Sequence, residues 1–281
     1  MRLVSYDAGA GPRAALLRDE RVYDIWGDAF AHVRGEDRTI YALLQGGLLP
    51  EVTAVEEEGV PVDGVDLLPP IARPNKIVCI GLNYRSHAEE QGAEPPETPA
   101  IFAKFANALV PAGAEVPLPA ASRKVDYEAE VAFVIGDRCK DVSEDEALEH
   151  VAGYTLLNDL SARDLQFATP QWMPGKVFDG SAPCGPALVT PDEAGAHDAI
   201  EIELTLNGEV MQQGSTSDLV HSVPALVAYL SRLMTLEAGD IVSTGTPAGV
   251  GSLRSPRVWL KAGDEVVIDS PQLGRLETRL V

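Results

Sequence analysis

The chain has 281 residues, enough to bury a large core, and its 43 acidic against 22 basic residues leave a formal charge of −21. A field of that sign excludes nucleic acid and anionic membrane surfaces as partners, because both draw their affinity from basic patches. It also repels small anions at long range, so an anionic substrate needs a bound cation and local lysines to hold it.

Cys79, Cys139 and Cys184 are odd in number and contain no Cys-x-x-Cys pair. That fits reduced thiols better than a disulfide frame or a zinc site. The opening MRLVSYDAGAGPRAALL has no uninterrupted apolar stretch, and no 18-residue apolar run follows, so the expectation is a soluble, cytoplasmic protein.

Residues 1–70 are expected to form a small N-terminal α/β module. Short apolar runs at 2–6, 13–17 and 22–25, around Gly9, Gly11 and Pro12, predict antiparallel strands, and 41–44 a short helix. The acidic run Glu56, Glu57, Glu58 reads as solvated surface, and Pro61, Pro69, Pro70 and Pro74 mark the passage into residues 71–281. No chemistry is visible in this module.

Residues 76–80 then read as a buried strand broken at Gly81, followed by a short helix over 86–91 that ends at Gly92. His87 and Glu90 are three apart and share a helix face. A carboxylate beside an imidazole orients it and raises its basicity, which prepares a general base, although a surface histidine with a helical neighbour has the same spacing. The proline-rich passage 95–99 suits a lid or loop. In the strand 100–105, AIFAKF, Lys104 interrupts an apolar run; it either snorkels to solvent or needs an anionic partner.

The stretch 125–135, VDYEAEVAFVI, predicts the central strand. Alternation puts Val125, Tyr127, Ala129, Val131, Phe133 and Ile135 on one apolar face and Asp126, Glu128, Glu130, Ala132 and Val134 on the other. Glu128 and Glu130 therefore point, about 7 Å apart, into a region whose next residues are apolar. Two buried carboxylates are costly unless a hard, oxygen-seeking cation such as Mg²⁺, Mn²⁺ or Ca²⁺ neutralises them. The second Glu-x-Glu, Glu201 and Glu203 in 200–206, lies on a uniformly polar face and reads as an ordinary solvated strand.

Further along, Ser143 and Glu146 form a capping-box signature for a helix over 144–150. Residues 151–160 predict a strand whose last acid, Asp159, stands where a third metal ligand or a turn former would be placed. The loop 171–186 carries Lys176, and Asn207-Gly208 marks a hairpin. Ser222 caps a core helix with Leu226, Val227, Leu230, Leu233 and Met234 on one face. Strands follow at 240–243, 257–260 and 265–268. In the turn TGTPAGVG, backbone amides and the Thr246 hydroxyl could hold a carboxylate. The other histidines, His32, His150, His197 and His221, read as structural. The fold class is mainly β with some α.

Six ordered stretches, GLNYRSHAEE, FAKF, DYEAEVAFVIG, NDLSARDLQ, GKVFDGSAPCGP and TGTPAGVG, cover most of residues 76–281. With them the chain resembles the fumarylacetoacetate hydrolase family in its shorter bacterial branch. The resemblance implies a mixed-strand β-sandwich roll as the catalytic domain, usually in a homodimer, with the N-terminal module outside the strongest match. It implies Mg²⁺ or Mn²⁺, with Ca²⁺ possible in crystals, held by Glu128, Glu130 and Asp159. His87 and Glu90 match the family's lid dyad, Lys104 and Lys176 its substrate lysines, Arg163 and Gln166 its polar substrate contacts, and Thr246 its substrate threonine.

The implied partner is a small anionic 2-oxo acid and the implied reaction is cleavage of a C–C bond in a 2,4-dioxo acid of acylpyruvate or fumarylpyruvate type. The 2-oxo acid chelates the cation, the cation and Lys176 stabilise the enolate, and His87 with Glu90 deprotonates the attacking water. Decarboxylation of oxaloacetate or a related β-oxo diacid is the nearest alternative, with isomerisation or hydration of 2-oxo-diene acids beyond it. A non-catalytic binder of 2-oxo acids is the alternative of another class.

Overall fold

The computed structural model describes residues 1–281 apart from residues 10, 56 and 57. Of the acidic run, Glu58 is exposed, while Glu56 and Glu57 lie outside the described residues.

The stretch expected as one central strand is divided in two. Val125–Asp126 pairs with Ser161–Ala162 in a short ribbon, and Ala129–Ile135 continues as the central strand of a twelve-stranded sheet. Side chains capture the backbone at the break: Tyr127 N donates to Asp126 Oδ1 at 3.0 Å, Glu128 N to Asn158 Oδ1 at 3.2 Å and Ala129 N to Gln212 Oε1 at 2.9 Å. Those amides are thereby lost to strand pairing, and the chain turns.

Ala129–Ile135 is flanked by Val151–Asn158 and by Ile241–Ser243, both antiparallel to it. Beyond Ile241–Ser243 lie Ile77–Gly81, in parallel, and then Ala100–Lys104 at the sheet's end. On the other side Ala182–Val189 pairs with Arg2–Asp7, so the strands of residues 1–70 extend this sheet instead of packing as a detached body. A five-stranded sheet packs against it, in the order Glu209–Ser215, Glu201–Leu206, Glu265–Ser270, Gly274–Leu280 and Ala114–Val116.

Both faces of Ala129–Ile135 are buried. Val131, Phe133 and Ile135 enter one core with Ile202, Leu204 and Ile268, while Ala132 and Val134 enter a second with Leu3, Leu43, Cys79 and Leu157. Truncating Phe133 to alanine in such a core costs about 3–5 kcal/mol. The three cysteines are free and buried.

The remaining expectations divide by what the chain packs against. Ser222 Oγ accepts from Ala225 N at 3.4 Å to start the helix Val223–Leu233, which buries Leu226, Val227 and Leu230. Its apolar face ends early, since Leu233 is 56% exposed. In Glu201–Leu206 the isoleucine and leucines are buried while Glu201 is exposed, as an ordinary half-solvated strand requires. Asn207 and Gly208, at φ 51° and 82°, turn the hairpin.

Two expectations fail. The Ser143 hydroxyl does bond Glu146, at 2.7 Å, but only a 3₁₀ turn, Ala147–His150, follows. Residues 257–260 form no strand; Val258 and Leu260 donate to Gly251 O and Val125 O, each at 2.9 Å, and Gly274–Leu280 takes the expected place in the sheet. Among the described residues no helix is long and apolar enough to cross a membrane.

Candidate metal centre and lid

Glu130 is the second residue of the central strand, on the face shared with Ala132 and Val134. Glu128 stands at the break just before it, and Asp159 directly after Val151–Asn158. Asp159 N donates to Glu128 O at 2.9 Å, which fastens the two acids to each other. Ligand oxygens of Glu128, Glu130 and Asp159 all lie within 4.8 Å of one another, and the three residues are buried.

Each acid sits in a different electrostatic setting. Burial raises the Glu128 carboxyl, but the Lys176 ammonium and the Arg163 guanidinium outweigh it and bring the group to about 2. Burial and the neighbouring charges of Asp159 and Glu128 push Glu130 well above the usual carboxylate range. Ser243 Oγ and Gly245 N donate to Glu130 Oε2 at 2.5 and 3.0 Å, against that trend. Gly245 can present its amide because it has φ 99° and because a Cβ there would meet Ile80 O at 2.9 Å.

A divalent cation fits this donor set. All three ligands are carboxylates, the preference of Mg²⁺, Mn²⁺ and Ca²⁺. Asp159 Oδ1 is buried without a hydrogen bond; Lys104 Nζ is 2.8 Å away, but not in hydrogen-bond geometry. Three buried carboxylates this close, which already draw the Lys104 ammonium to Asp159 and the Lys176 ammonium to Asp159 and Glu128, are a place for positive charge.

The basic residues differ in what they have left to offer. Lys176 Nζ donates to Glu128 Oε2 at 2.7 Å and Asp159 Oδ2 at 2.6 Å, and lies 4.9 Å from the centre of the Phe102 ring. Burial lowers its pKa, but Asp159 and Glu128 raise it further, so it remains an ammonium. Lys104, expected at the substrate, lies behind Asp159 with its ammonium occupied by the carbonyls of Leu160, Lys176 and Ser181. Three N–H groups cannot satisfy these acceptors and a substrate together, so the structure places Lys104 as a support.

Arg163 is equally committed. Its Nε and Nη2 bond Asp126 Oδ2 at 2.9 and 2.8 Å, Nη2 reaches Glu128 Oε1 at 2.7 Å, and Nη1 donates to Gln166 Oε1 at 3.0 Å. Gln166 is left with its amide N–H groups at the cavity wall. Thr246 Oγ1 donates to Ala129 O at 2.8 Å and accepts from Gln212 Nε2 at 2.8 Å, so its proton is already used.

The short helix Arg85–Glu90 carries His87 and Glu90, the pair expected to act as a lid dyad. His87 Nδ1 lies 3.2 Å from Glu90 Oε2, and the Gln91 amide lies 2.8 Å from Nε2. With a carboxylate at Nδ1 and an N–H donor at Nε2, the neutral ring carries its proton on Nδ1 and keeps a basic lone pair on Nε2. Glu90 is in turn fixed by Gly249 N at 2.9 Å. His87, Gln91, Glu128, Glu130, Arg163, Gln166, Lys176 and Thr246 all line one cavity of about 70 Å³, closed by Phe102 and Trp172. Gly81 is required beneath Trp172, because a Cβ there would come 2.3 Å from its ring.

Sequence reasoning missed Asp126, Gln91, Gln212 and Ser243. Asp126 shared the pleat face of Glu128 and Glu130, which was a usable signal, but Gly251 N at 2.8 Å, Ser252 N at 3.0 Å and Arg163 take it up. Gln91 stands four residues after His87, an i,i+4 spacing that was also a usable signal, whereas Gln212 and Ser243 come from distant segments and carried no local mark.

A mixed-strand β fold holding a buried three-carboxylate centre beside a histidine–glutamate pair defines the class. The family profile of the fumarylacetoacetate hydrolase C-terminal region matches residues 76–281, and the chain belongs to that family. Human oxaloacetate tautomerase FAHD2A, mitochondrial, is 44% identical over 223 residues, 79% of this chain and 71% of that protein. The crystal structure of a putative HpcE protein from Mycobacterium smegmatis superposes with TM-score 0.88 at 34% identity, over 100% of this chain and 99% of that one. Fumarylacetoacetate hydrolase from Exiguobacterium antarcticum does so with TM-score 0.85 at 31% identity and the same coverage.

Proposed function

We propose that the protein is a divalent-cation-dependent enzyme that moves a proton at C3 of a 2-oxo acid, interconverting keto and enol forms of an oxaloacetate-type substrate. The observation that carries this is His87, held by Glu90 at Nδ1 and lining the same cavity as Glu128, Glu130 and Lys176. Similarity to a protein named oxaloacetate tautomerase supports the choice of substrate class.

Glu128, Glu130 and Asp159 would hold the cation, which supplies Lewis acidity to the carboxylate and keto oxygens of a 2-oxo acid. Lys176, kept charged by two carboxylates, adds positive charge for an enolate oxygen and cannot itself accept a proton. Toward the enol, His87 Nε2 takes the C3 proton and delivers it to the C2 oxygen, and toward the ketone it carries the enol hydroxyl proton back to C3; this requires the Gln91 amide to give up its hydrogen bond. Glu90 holds the tautomer and stabilises the imidazolium that forms. Phe102 and Trp172, in edge contact at 5.9 Å, exclude water from the enolate.

The test is the decay of enol oxaloacetate followed by its ultraviolet absorbance, with Mg²⁺ or Mn²⁺. Acceleration that chelator abolishes is expected. Equal decay with and without protein sinks the tautomerase. Hydrolysis of an acylpyruvate is the second reading, favoured by the same His87–Glu90 pair, which could equally deprotonate a water, and by similarity to a protein named fumarylacetoacetate hydrolase. Release of pyruvate from acetylpyruvate distinguishes it.

A further inference from the structure

In the strand Glu209–Ser215 the alternation of outward and inward side chains fails at one point. Met211 and Gln212, adjacent in sequence, are both buried, while Val210 and Gln213 are exposed. The cause is a bulge: Leu204 pairs with Gln212 and Thr205 with Val210, so Met211 has no partner opposite it in Glu201–Leu206. The Met211 side chain joins the core of Ile202 and Leu204, and Arg254 Nη2 donates to its carbonyl at 2.5 Å. The extra residue thereby turns Gln212 inward, toward the central strand of the other sheet.

There Gln212 closes a ring of hydrogen bonds around Ala129, the residue between Glu128 and Glu130. Gln212 Oε1 accepts from Ala129 N at 2.9 Å, Gln212 Nε2 donates to Thr246 Oγ1 at 2.8 Å, and Thr246 Oγ1 donates to Ala129 O at 2.8 Å. Nε2 also donates to Pro247 O at 2.8 Å, so the whole amide is engaged. Gln212 is only 2% exposed, and burying an amide is costly unless it is bonded in this way. All of its bonds go to two segments: the one carrying Glu128 and Glu130, and the turn whose Gly245 N donates to Glu130.

We infer that Gln212 is a positioning residue for the cation site: from the second sheet it fixes the peptide planes on either side of Ala129, and with them the separation of the Glu128 and Glu130 carboxylates. This rests on the three-carboxylate reading of the centre and makes its ligand geometry depend on how the two sheets meet. Mg²⁺ demands near-ideal octahedral geometry, whereas Ca²⁺ accepts irregular ligand sets. A loosened ligand pair therefore costs Mg²⁺ more than Ca²⁺, which a general loss of stability does not do.

The experiment is titration calorimetry of the full chain with Mg²⁺ and with Ca²⁺, beside thermal melting of the chelator-treated protein. Gln212→Met should weaken Mg²⁺ binding by about tenfold or more and Ca²⁺ binding by about threefold or less. Thr246→Val breaks the same ring and should give the same split, while Thr246→Ser keeps the hydroxyl and should bind both ions as the wild type does. Gln213→Met, on the exposed face next door, should leave both affinities unchanged. Wild-type Mg²⁺ affinity in Gln212→Met or Thr246→Val overturns the positioning role. So does an equal loss for the two ions in step with a fall in melting temperature. If Gln212→Met does not fold, the two Thr246 variants decide the matter alone. Failure of the wild type to bind either ion brings down the three-carboxylate reading, and the positioning role with it.

Discussion

Lys176 Nζ lies 2.6 Å from Asp159 Oδ2, inside the group of carboxylates that would hold a cation. The same ammonium contacts Glu128 at 2.7 Å. Stability of the folded chain and the chemistry of the site therefore share one side chain, and cation loading can separate the two.

Lys176→Met leaves Glu128 and Asp159 buried beside one fewer cation. Breaking a buried ion pair from one side costs about 3–5 kcal/mol, so the chelator-treated variant should melt well below the wild type. Excess Mg²⁺ should return much of that loss by neutralising the same carboxylates, while turnover stays absent. A melting deficit of the same size with and without Mg²⁺ would show that Lys176 does not share charge with the cation site.

Glu130→Gln and Asp159→Asn remove ligands while preserving shape. Mn²⁺ binding, read by electron paramagnetic resonance, should weaken by at least the ~100-fold that loss of a supporting group can cause. Glu201→Gln and Glu203→Gln, on the solvated strand, should change neither Mn²⁺ affinity nor stability beyond about 0.5 kcal/mol. Wild-type Mn²⁺ affinity in the Glu130→Gln protein would refute the triad.

His87→Ala should lower kcat by about 10²–10⁴ while largely preserving cation affinity, because among the described residues the ring hydrogen-bonds Glu90 and Gln91 and none of the three acids. Glu90→Gln should give a smaller loss in the same parameter, since it alters the ring's tautomer and basicity. Retention of full turnover in His87→Ala excludes it as the base.

Burial and its acidic neighbours raise Glu130, so the cation-free folded protein keeps a proton there to higher pH than the unfolded chain does. Its contribution to folding is fully present below the unfolded carboxyl value and is lost as pH rises through the folded one. Cation binding needs the carboxylate, so it should release a proton and tighten with rising pH until Glu130 is ionised. Calorimetry of Mg²⁺ binding in buffers of different ionisation enthalpy measures that proton; identical heats in all buffers would count against a protonated Glu130.

How far the sequence carried depends on the range of the interactions involved. The pleat of 125–135 placed Glu128 and Glu130 beside apolar residues, while the even alternation of Glu201 and Glu203 marked a solvated face; both are one-strand properties. The i,i+3 spacing of His87 and Glu90 reported a contact within one helical turn. The break at Tyr127 and Glu128 was not legible, because the amides there are taken by Asn158 and Gln212, and the latter is 83 residues away from Ala129.

The same distance rule separates the lysines. Nothing near Lys104 or Lys176 distinguishes them, yet one is consumed by carbonyls from residues 160–181 and the other lies between carboxylates. Local periodicity, set by covalent geometry and the pairing of neighbouring residues, thus marked the strand around Ala129–Ile135, the Glu128 and Glu130 pair and the His87–Glu90 spacing, while Asp159 as a ligand and the roles of the His87–Glu90 pair were implied by the family resemblance. Only the folded chain decided which charges meet, because burial and Coulombic partnership depend on segments that sequence order leaves far apart.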